Sequence, residues 1–231
     1  MKVHIIKLEN YIDEELFSDF LEYVSDKKAE RILRYRHKKD QLRSLIGDVL
    51  IRNILCDELS INNENLEFAF NSYGKPYLKN YNKNFNISHS GDYVVGVVDS
   101  DLVGIDIEEI RPMNDMFDIA KSFFTETENK WLESLHKDKK LLGFYKIWTA
   151  KESYLKLLGV GLSKKTNSFS VVIEDNNKIY IKDKNTSNNY YCSQIILENK
   201  YCLTVCSRKK LNFIDFVTSS LLDKKMKSSK L

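Results

Sequence analysis

Two long amphipathic segments, each followed by a run of short alternating segments, constrain this chain more than any other feature. The first spans residues 39–59. Leu42, Leu45, Ile46, Val49, Leu50 and Ile54 recur there at helical spacing and form an apolar stripe. Arg43 lies off that stripe and is expected to reach outward. The second spans residues 141–158. Period-two strand patterns follow the first at 66–70, 85–91, 93–98 and 103–108, and the second at 168–173, 178–181, 190–197 and 201–206. A helix with one apolar stripe must cover it, and a sheet with one apolar face does so. The expected fold class is therefore α+β, in two similar halves related by a pseudo-twofold, each a long helix on a small, mostly antiparallel sheet. The expected boundaries are 1–102, 103–222 and a Lys/Ser-rich tail, 223–231, too polar to hold a fixed structure.

Smaller signals fill in the frame. Residues 1–8 read as a strand. Asp13 is placed to cap a helix carrying Leu16, Phe17, Phe20, Leu21 and Val24, and Ser25 or Asp26 to cap a further short helix. Residues 115–124 read as helical, and Thr125-Glu126-Thr127-Glu128 as the capping start of another helix.

The 231 residues are 42% hydrophobic, which is enough for a substantial core. Net charge is only +3, so neither nucleic acid nor a membrane is expected as a partner. The positive charge is concentrated in Lys27, Lys28, Arg31, Arg34, Arg36, Lys38, Lys39 and Arg43. No apolar run reaches the ~20 residues of a membrane span, and no signal-peptide pattern opens the chain. Cys56, Cys192, Cys202 and Cys206 form no C-x-x-C, and reduced thiols in a cytoplasmic protein are the simplest reading. The final Ser229-Lys230-Leu231 matches a peroxisomal address, but chance accounts for it in a tail built of Lys and Ser.

Chemistry concentrates in Val103-Gly104-Ile105-Asp106-Ile107-Glu108. Val103, Ile105 and Ile107 face a core, while Asp106 and Glu108 lie on the other face, ~6.6 Å apart along the strand. Such a strand is often no more than a wet acidic face. Two carboxylates this close also suit a hard divalent cation, with Gly104 leaving room for a substrate. On the second long segment Glu152 lies beside a stripe of Tyr145, Trp148 and Leu155. Its partner is either Lys156, one turn on, or the acidic strand. Ser88-His89-Ser90-Gly91 offers an imidazole in a polar turn. His89 alone fits a structural histidine, and no Gly-x-Ser-x-Gly elbow makes a nucleophile of either serine. Lys28, Arg31 and Arg43 form either a solvated basic face or a phosphate cradle. No Walker loop or Gly-x-Gly-x-x-Gly is present.

Taken in order, Gly74-Lys75-Pro76, Asn86-Ile87-Ser88-His89-Ser90, Gly104-Ile105-Asp106-Ile107-Glu108 and Trp148-Thr149-Ala150-Lys151-Glu152-Ser153-Tyr154-Leu155-Lys156 resemble the 4′-phosphopantetheinyl transferase superfamily. The likeness is to its long, monomeric, surfactin-synthetase-activating type, and runs from the first strand to about Cys206. The resemblance implies an enzyme that moves the phosphopantetheine arm of coenzyme A to a serine of an acyl or peptidyl carrier protein, releasing adenosine 3′,5′-bisphosphate. It implies Asp106, Glu108 and Glu152 as ligands of Mg²⁺, or of Mn²⁺ in its place, with Glu152 also the general base. Lys156 and His89 would neutralise the pyrophosphate. Lys28, Arg31, Arg43 and His89 would hold the 3′-phosphate, with Arg31 standing where a lysine is common. Tyr73, Gly74, Lys75, Pro76 and Ser88 would face the adenine and ribose. Acidic carrier domains of peptide, polyketide or fatty-acid synthesis are the implied partners, met by a monomer. The competing readings are a non-catalytic homologue that binds carrier or nucleotide, and a metal-dependent nuclease.

Overall fold

Both long segments are helices of 22 residues, and each lies on a sheet as its stripe requires. The computed structural model describes residues 1–8, 14–174, 178–209 and 213–216. Asp13, the tail 223–231 and its terminal tripeptide lie outside the described residues.

Strand β1 (Lys2–Lys7) leads to helices α1 (Glu14–Tyr23), α2 (Asp26–Leu33) and α3 (Lys38–Leu59). A hairpin, β2 (Phe68–Phe70) with β3 (Pro76–Leu78), precedes β4 (Asn84–Ser90) and β5 (Tyr93–Asp99). The second half runs β6 (Val103–Glu109), α4 (Met116–Phe123), α5 (Glu126–Ser134), α6 (Lys137–Leu158), β7 (Ser170–Ile173), β8 (Ile179–Lys182), β9 (Tyr190–Leu197) and β10 (Tyr201–Ser207). A last described strand, β11 (Phe213–Phe216), pairs in parallel with β1. The C-terminal part of the chain thus returns to the N-terminal sheet, a crossing that the sequence pattern does not announce.

One sheet has the order β11-β1-β5-β4 and the other β6-β10-β9-β8-β7, the second antiparallel throughout. Helix α3 covers the first sheet, burying Leu45, Ile46, Val49 and Leu50 against Ile6, Phe85, Val94 and Val98. Helix α6 covers the second, with Ala150, Tyr154 and Leu157 in a common core with Cys202 and Cys206. The uncovered faces pack on each other through Val3, Ile5, Val95, Val97, Val103, Ile105, Ile107, Leu203 and Val205. Strand β5 is covered on both faces, which is why it reads as an unbroken apolar run. Each fully buried Val, Leu or Ile contributes about 1.5–3 kcal/mol, so this shared core binds the halves firmly.

Between β4 and β6 side chains replace a main-chain ladder. Asn86 Oδ1 accepts from Ile105 N at 2.8 Å, Ser88 Oγ from Ile107 N at 3.3 Å and Ser90 Oγ from Glu109 N at 3.0 Å. This seam joins the two sheets, and the functional cleft opens beside it.

The capping start at Thr125 is realised as a reciprocal capping box with Glu128. Helix α6 begins at Lys137, earlier than the apolar pattern indicates, because its first turn, Lys137-Asp138-Lys139-Lys140, is wholly polar. It ends at Gly159, whose φ of 67° is the left-handed conformation that glycine adopts without steric cost.

Candidate active site

The acidic strand meets α6 at the seam. Asp106 is buried, and its Oδ1 accepts from Lys156 Nζ at 2.6 Å and from Ser88 Oγ at 3.0 Å. Lys156 Nζ also donates to Ser88 Oγ at 2.9 Å. Lys156 therefore turns across the seam to the acidic strand and does not close the one-turn ion pair with Glu152 that their spacing allows. Glu108 accepts from Ser90 Oγ at 3.0 Å through Oε2. Asp106, Glu108 and Glu152 all line one cavity of about 970 Å³.

The carboxylates act on one another. Burial, and then the charge of Asp106, push both Glu108 and Glu152 above the ordinary carboxylate range. Asp106 Oδ2 is buried with no hydrogen-bond partner. A buried, unpartnered carboxylate oxygen beside two further carboxyls that resist ionising is a donor set suited to a hard divalent cation. Among the described residues no three His, Cys, Asp or Glu side chains stand close enough together to hold a metal ion as they are placed. The engagement of Asp106 Oδ1 with Lys156 and of Glu108 with Ser90 is consistent with that.

The same cavity carries the opposite charge on another wall. Lys28, Arg31, Arg43 and His89 line it, together with Ser88, Gly74, Pro76 and Lys156. Lys28 is tethered from α2 to α3 by Asp48 at 3.2 Å. Arg43 does not reach outward as its place off the apolar stripe suggests. It folds into the cleft, donating to Gly91 O at 2.8 Å and to Asp40 Oδ1 at 2.6 Å. That bond to Arg43 holds the Asp40 carboxyl below its ordinary value. Arg43 Nε is buried and makes no hydrogen bond, a donor fit for an anion. The walls of the cleft, then Arg43 and Lys156, lower the pKa of His89 from its ordinary value.

Tyr73 and Lys75 line an adjoining groove of about 330 Å³, shared with Gly74, Pro76, Glu152 and Lys156. Tyr73 is 56% exposed at the tip of the β2–β3 turn. Lys75 Nζ is not in the groove mouth but donates to main-chain carbonyls of Lys156 and Leu157, and burial lowers its pKa to about 8.

Gly104 has a use other than the expected one. A Cβ there would collide with the backbone of α6, so the missing side chain admits the helix and leaves no opening for a substrate. Two functions in the site have weak sequence signals. Ser90 and Asn86 look like ordinary turn and strand polar residues. Only their spacing from Ser88, two residues each way, hints that all three face the same neighbouring strand.

A cleft between two α+β halves has carboxylates on one wall, basic side chains on the other and Lys156 between them, an arrangement with the charge to receive an anionic ligand. The chain belongs to the 4′-phosphopantetheinyl transferase superfamily, enzymes that transfer the phosphopantetheine group of coenzyme A to carrier proteins. The family described as "4'-phosphopantetheinyl transferase superfamily" matches residues 102–206, and that described as "4'-phosphopantetheinyl transferase, N-terminal" matches residues 12–101. The chain is 34% identical over 208 residues to 4'-phosphopantetheinyl transferase Sfp of Bacillus subtilis, covering 90% of this chain and 92% of the relative. It is 38% identical over 198 residues to 4'-phosphopantetheinyl transferase gsp of Aneurinibacillus migulanus, covering 81% and 82%. No described helix is long and apolar enough to cross a membrane.

Proposed function

We propose that the cleft binds coenzyme A across the seam, with the 3′-phosphate against Lys28, Arg31, Arg43 and His89. The pyrophosphate then lies at Lys156 and His89, and the adenine and ribose lie along the main chain of the turn Tyr73-Gly74-Lys75-Pro76 and against Ser88. Asp106, Glu108 and Glu152 would hold Mg²⁺, or Mn²⁺ in its place. The observation that carries this reading is the placing of Lys156 between Asp106 Oδ1 and Ser88 Oγ, beside the unpartnered Asp106 Oδ2. It puts an ammonium and an uncommitted carboxylate oxygen at one point of a cleft whose other wall carries Lys28, Arg31 and Arg43.

The hydroxyl of the carrier serine attacks the phosphorus bearing the pantetheine arm. A new P–O bond forms, the bond within the pyrophosphate breaks, and adenosine 3′,5′-bisphosphate leaves. Glu152 takes the serine proton, directly or through a water. Its raised pKa belongs to the metal-free cleft; a bound cation would lower it, so the proton transfer requires either that Glu152 leave the cation or that the site already polarise the serine. Lys156 meets the charge that develops on the leaving phosphate, and His89 and Arg43 hold the far phosphate, which fixes the angle of attack. When bound, the metal supplies further stabilisation of that charge.

The partners in this reading are acidic carrier domains, drawn to the basic α2–α3 region by charge complementarity. The enzyme works as a cytoplasmic monomer whose halves are related by a pseudo-twofold. The test is to incubate the protein with Mg²⁺, coenzyme A and several apo carrier domains and to weigh the carriers. A gain of one phosphopantetheine group is expected, and no gain with any carrier overturns the reading. Glu152→Gln should abolish transfer while coenzyme A still binds. Transfer by that variant at the parent rate removes Glu152 from the chemistry.

A further inference from the structure

The turn joining β2 to β3 is locked internally. Asn71 Oδ1 accepts from Tyr73 N and from Lys75 N, both at 2.9 Å, while Gly74 N donates to Asn71 O and Asn71 N to Lys75 O, both at 3.0 Å. The two side chains that it presents then grip the other half of the molecule. Asn71 Nδ2 donates to Gly159 O at 2.8 Å. Lys75 Nζ donates to Lys156 O at 2.6 Å and to Leu157 O at 3.2 Å. These three carbonyls belong to the last turn and cap of α6, where intrahelical N–H groups run out. The partial negative charge of the helix gathers at that end, so an ammonium is the favoured partner. The fit is close: a Cβ on Gly159 would stand 2.7 Å from Lys75 Cδ and 3.2 Å from Asn71 Nδ2.

The resemblance to the family places Lys75 among the residues facing coenzyme A. Its ammonium is instead committed to the helix that carries Glu152 and Lys156. We propose that Lys75 is a positioning residue for the transfer reaction: with Asn71, it clamps the C-terminal turn of α6 to the β2–β3 turn and so sets Lys156 against Asp106. Lys156 is held at both ends. Its carbonyl accepts from Lys75, and its ammonium reaches Asp106 and Ser88. A slip of the last turn of α6 therefore displaces the ammonium from the carboxylate and the phosphate it serves. The hairpin that meets the adenosine end of coenzyme A is thereby coupled mechanically to the residues that act at its pyrophosphate.

The inference rests on the proposed transfer reaction for its kinetic readout only. The test compares the parent with Lys75→Met, Lys75→Arg and Asn71→Ala. Each is measured for transfer kinetics, for binding of adenosine 3′,5′-bisphosphate by calorimetry, and for amide exchange of the peptide spanning residues 156–161. Lys75→Met should lower kcat ~10–100-fold, the scale on which small misplacements act. Its bisphosphate affinity should stay within about twofold of the parent, the signature of a loss confined to the transition state. Exchange at the end of α6 should quicken. Lys75→Arg, which keeps donors for both carbonyls, should recover most of kcat, and Asn71→Ala should shift exchange and kcat in the same direction to a smaller extent. If Lys75→Met does not fold, the other two variants decide. Loss of bisphosphate affinity with unchanged kcat, or unchanged exchange at residues 156–161, overturns the proposal. If the parent transfers nothing, the transferase reading fails, and the exchange measurement still decides the clamp.

Discussion

A Cβ added to Gly104 would stand 1.9 Å from the carbonyl oxygen of Ser153 and 2.5 Å from the backbone N of Leu157. The acidic strand and α6 therefore touch backbone to backbone at this point. Neither neighbour is a flexible side-chain tip, so relief requires α6 to move. Gly104→Ala should destabilise by about 3 kcal/mol, the upper part of the usual overpacking range. It should also reduce transfer, because Glu152 and Lys156 ride on the displaced helix. Urea unfolding of the variant checks this, and an unchanged midpoint would mean that the helix lies farther off than the structure places it.

Lys151 is one residue from Glu152 in the chain but serves a different purpose. It is 1% exposed and ion-pairs with Glu128, itself 2% exposed, at 2.9 Å. Its ammonium also donates to Thr166 O and Phe169 O at 2.8 and 3.0 Å. Glu128 accepts from Val171 N and Thr125 N, both at 2.6 Å, so one buried pair fixes α5, α6 and the approach to β7. Removing one partner strands a buried charge. Lys151→Met should cost about 3–5 kcal/mol, the range for breaking such a pair. Chemical denaturation measures it, and a loss below about 1 kcal/mol, the value of an exposed pair, would contradict the buried role.

The same nine-residue motif shows what a sequence reveals and what it hides. Glu152 and Lys156 stand out because a carboxylate and an ammonium beside an apolar stripe need partners. That Lys156 pairs with Asp106 across the seam and Glu152 faces the same carboxylate is a tertiary fact, and helical spacing leaves the acidic strand as only one of two partners for Glu152. Lys151 carries the same charge as Lys156 and sits beside equally apolar neighbours, yet no local pattern marks it as buried, because its partner lies 23 positions away on α5. The long helices, the capping box at Thr125 and the alternation in β6 were legible, since each follows from short-range periodicity. The return of β11 to β1 was not, since parallel pairing with a distant strand leaves no local trace. Lys75 illustrates the reverse case: the motif around it points to a ligand, while its side chain caps a helix.

The raised pKa values of Glu108 and Glu152 make stability depend on pH. Both carboxyls titrate above the ordinary 4.5 when folded. The folded chain therefore binds more protons than the unfolded chain between that value and the raised ones. Their contribution to stability is largest at acid pH and declines as pH rises through that window. Without divalent metal, Glu152→Gln removes one of the two and relieves its neighbours. The variant should melt higher than the parent at pH 7.5, with the gap closing toward pH 4.5. Added Mg²⁺ should stabilise the parent more at pH 7.5 than at pH 5.5, because ionised carboxylates bind it. Parallel melting curves for the two proteins across this range test the sign, and a parent that melts above the variant at pH 7.5 without metal would reverse it.

His89 gives the binding step a pH signature of its own. Desolvation by the cleft walls, with Arg43 and Lys156 adding like charge, holds its pKa below 6.5 in the ligand-free chain. The imidazole is therefore mostly neutral at pH 7. A phosphate dianion beside it favours the imidazolium and offsets the charge of Arg43 and Lys156, so the pKa rises on binding and a proton is taken up. Coenzyme A binding without divalent metal should then show a heat that depends on the ionisation enthalpy of the buffer. The sign should correspond to net uptake near pH 7. Leaving metal out of the cell matters, because its binding would release protons from Glu108 and Glu152 and mask the effect. His89→Gln should abolish most of the buffer dependence and weaken binding by a few-fold, the scale of about 1 kcal/mol for one hydrogen bond. A buffer-independent heat in the parent would mean that His89 stays neutral with ligand bound, and its place in the 3′-phosphate cradle would have to be given up.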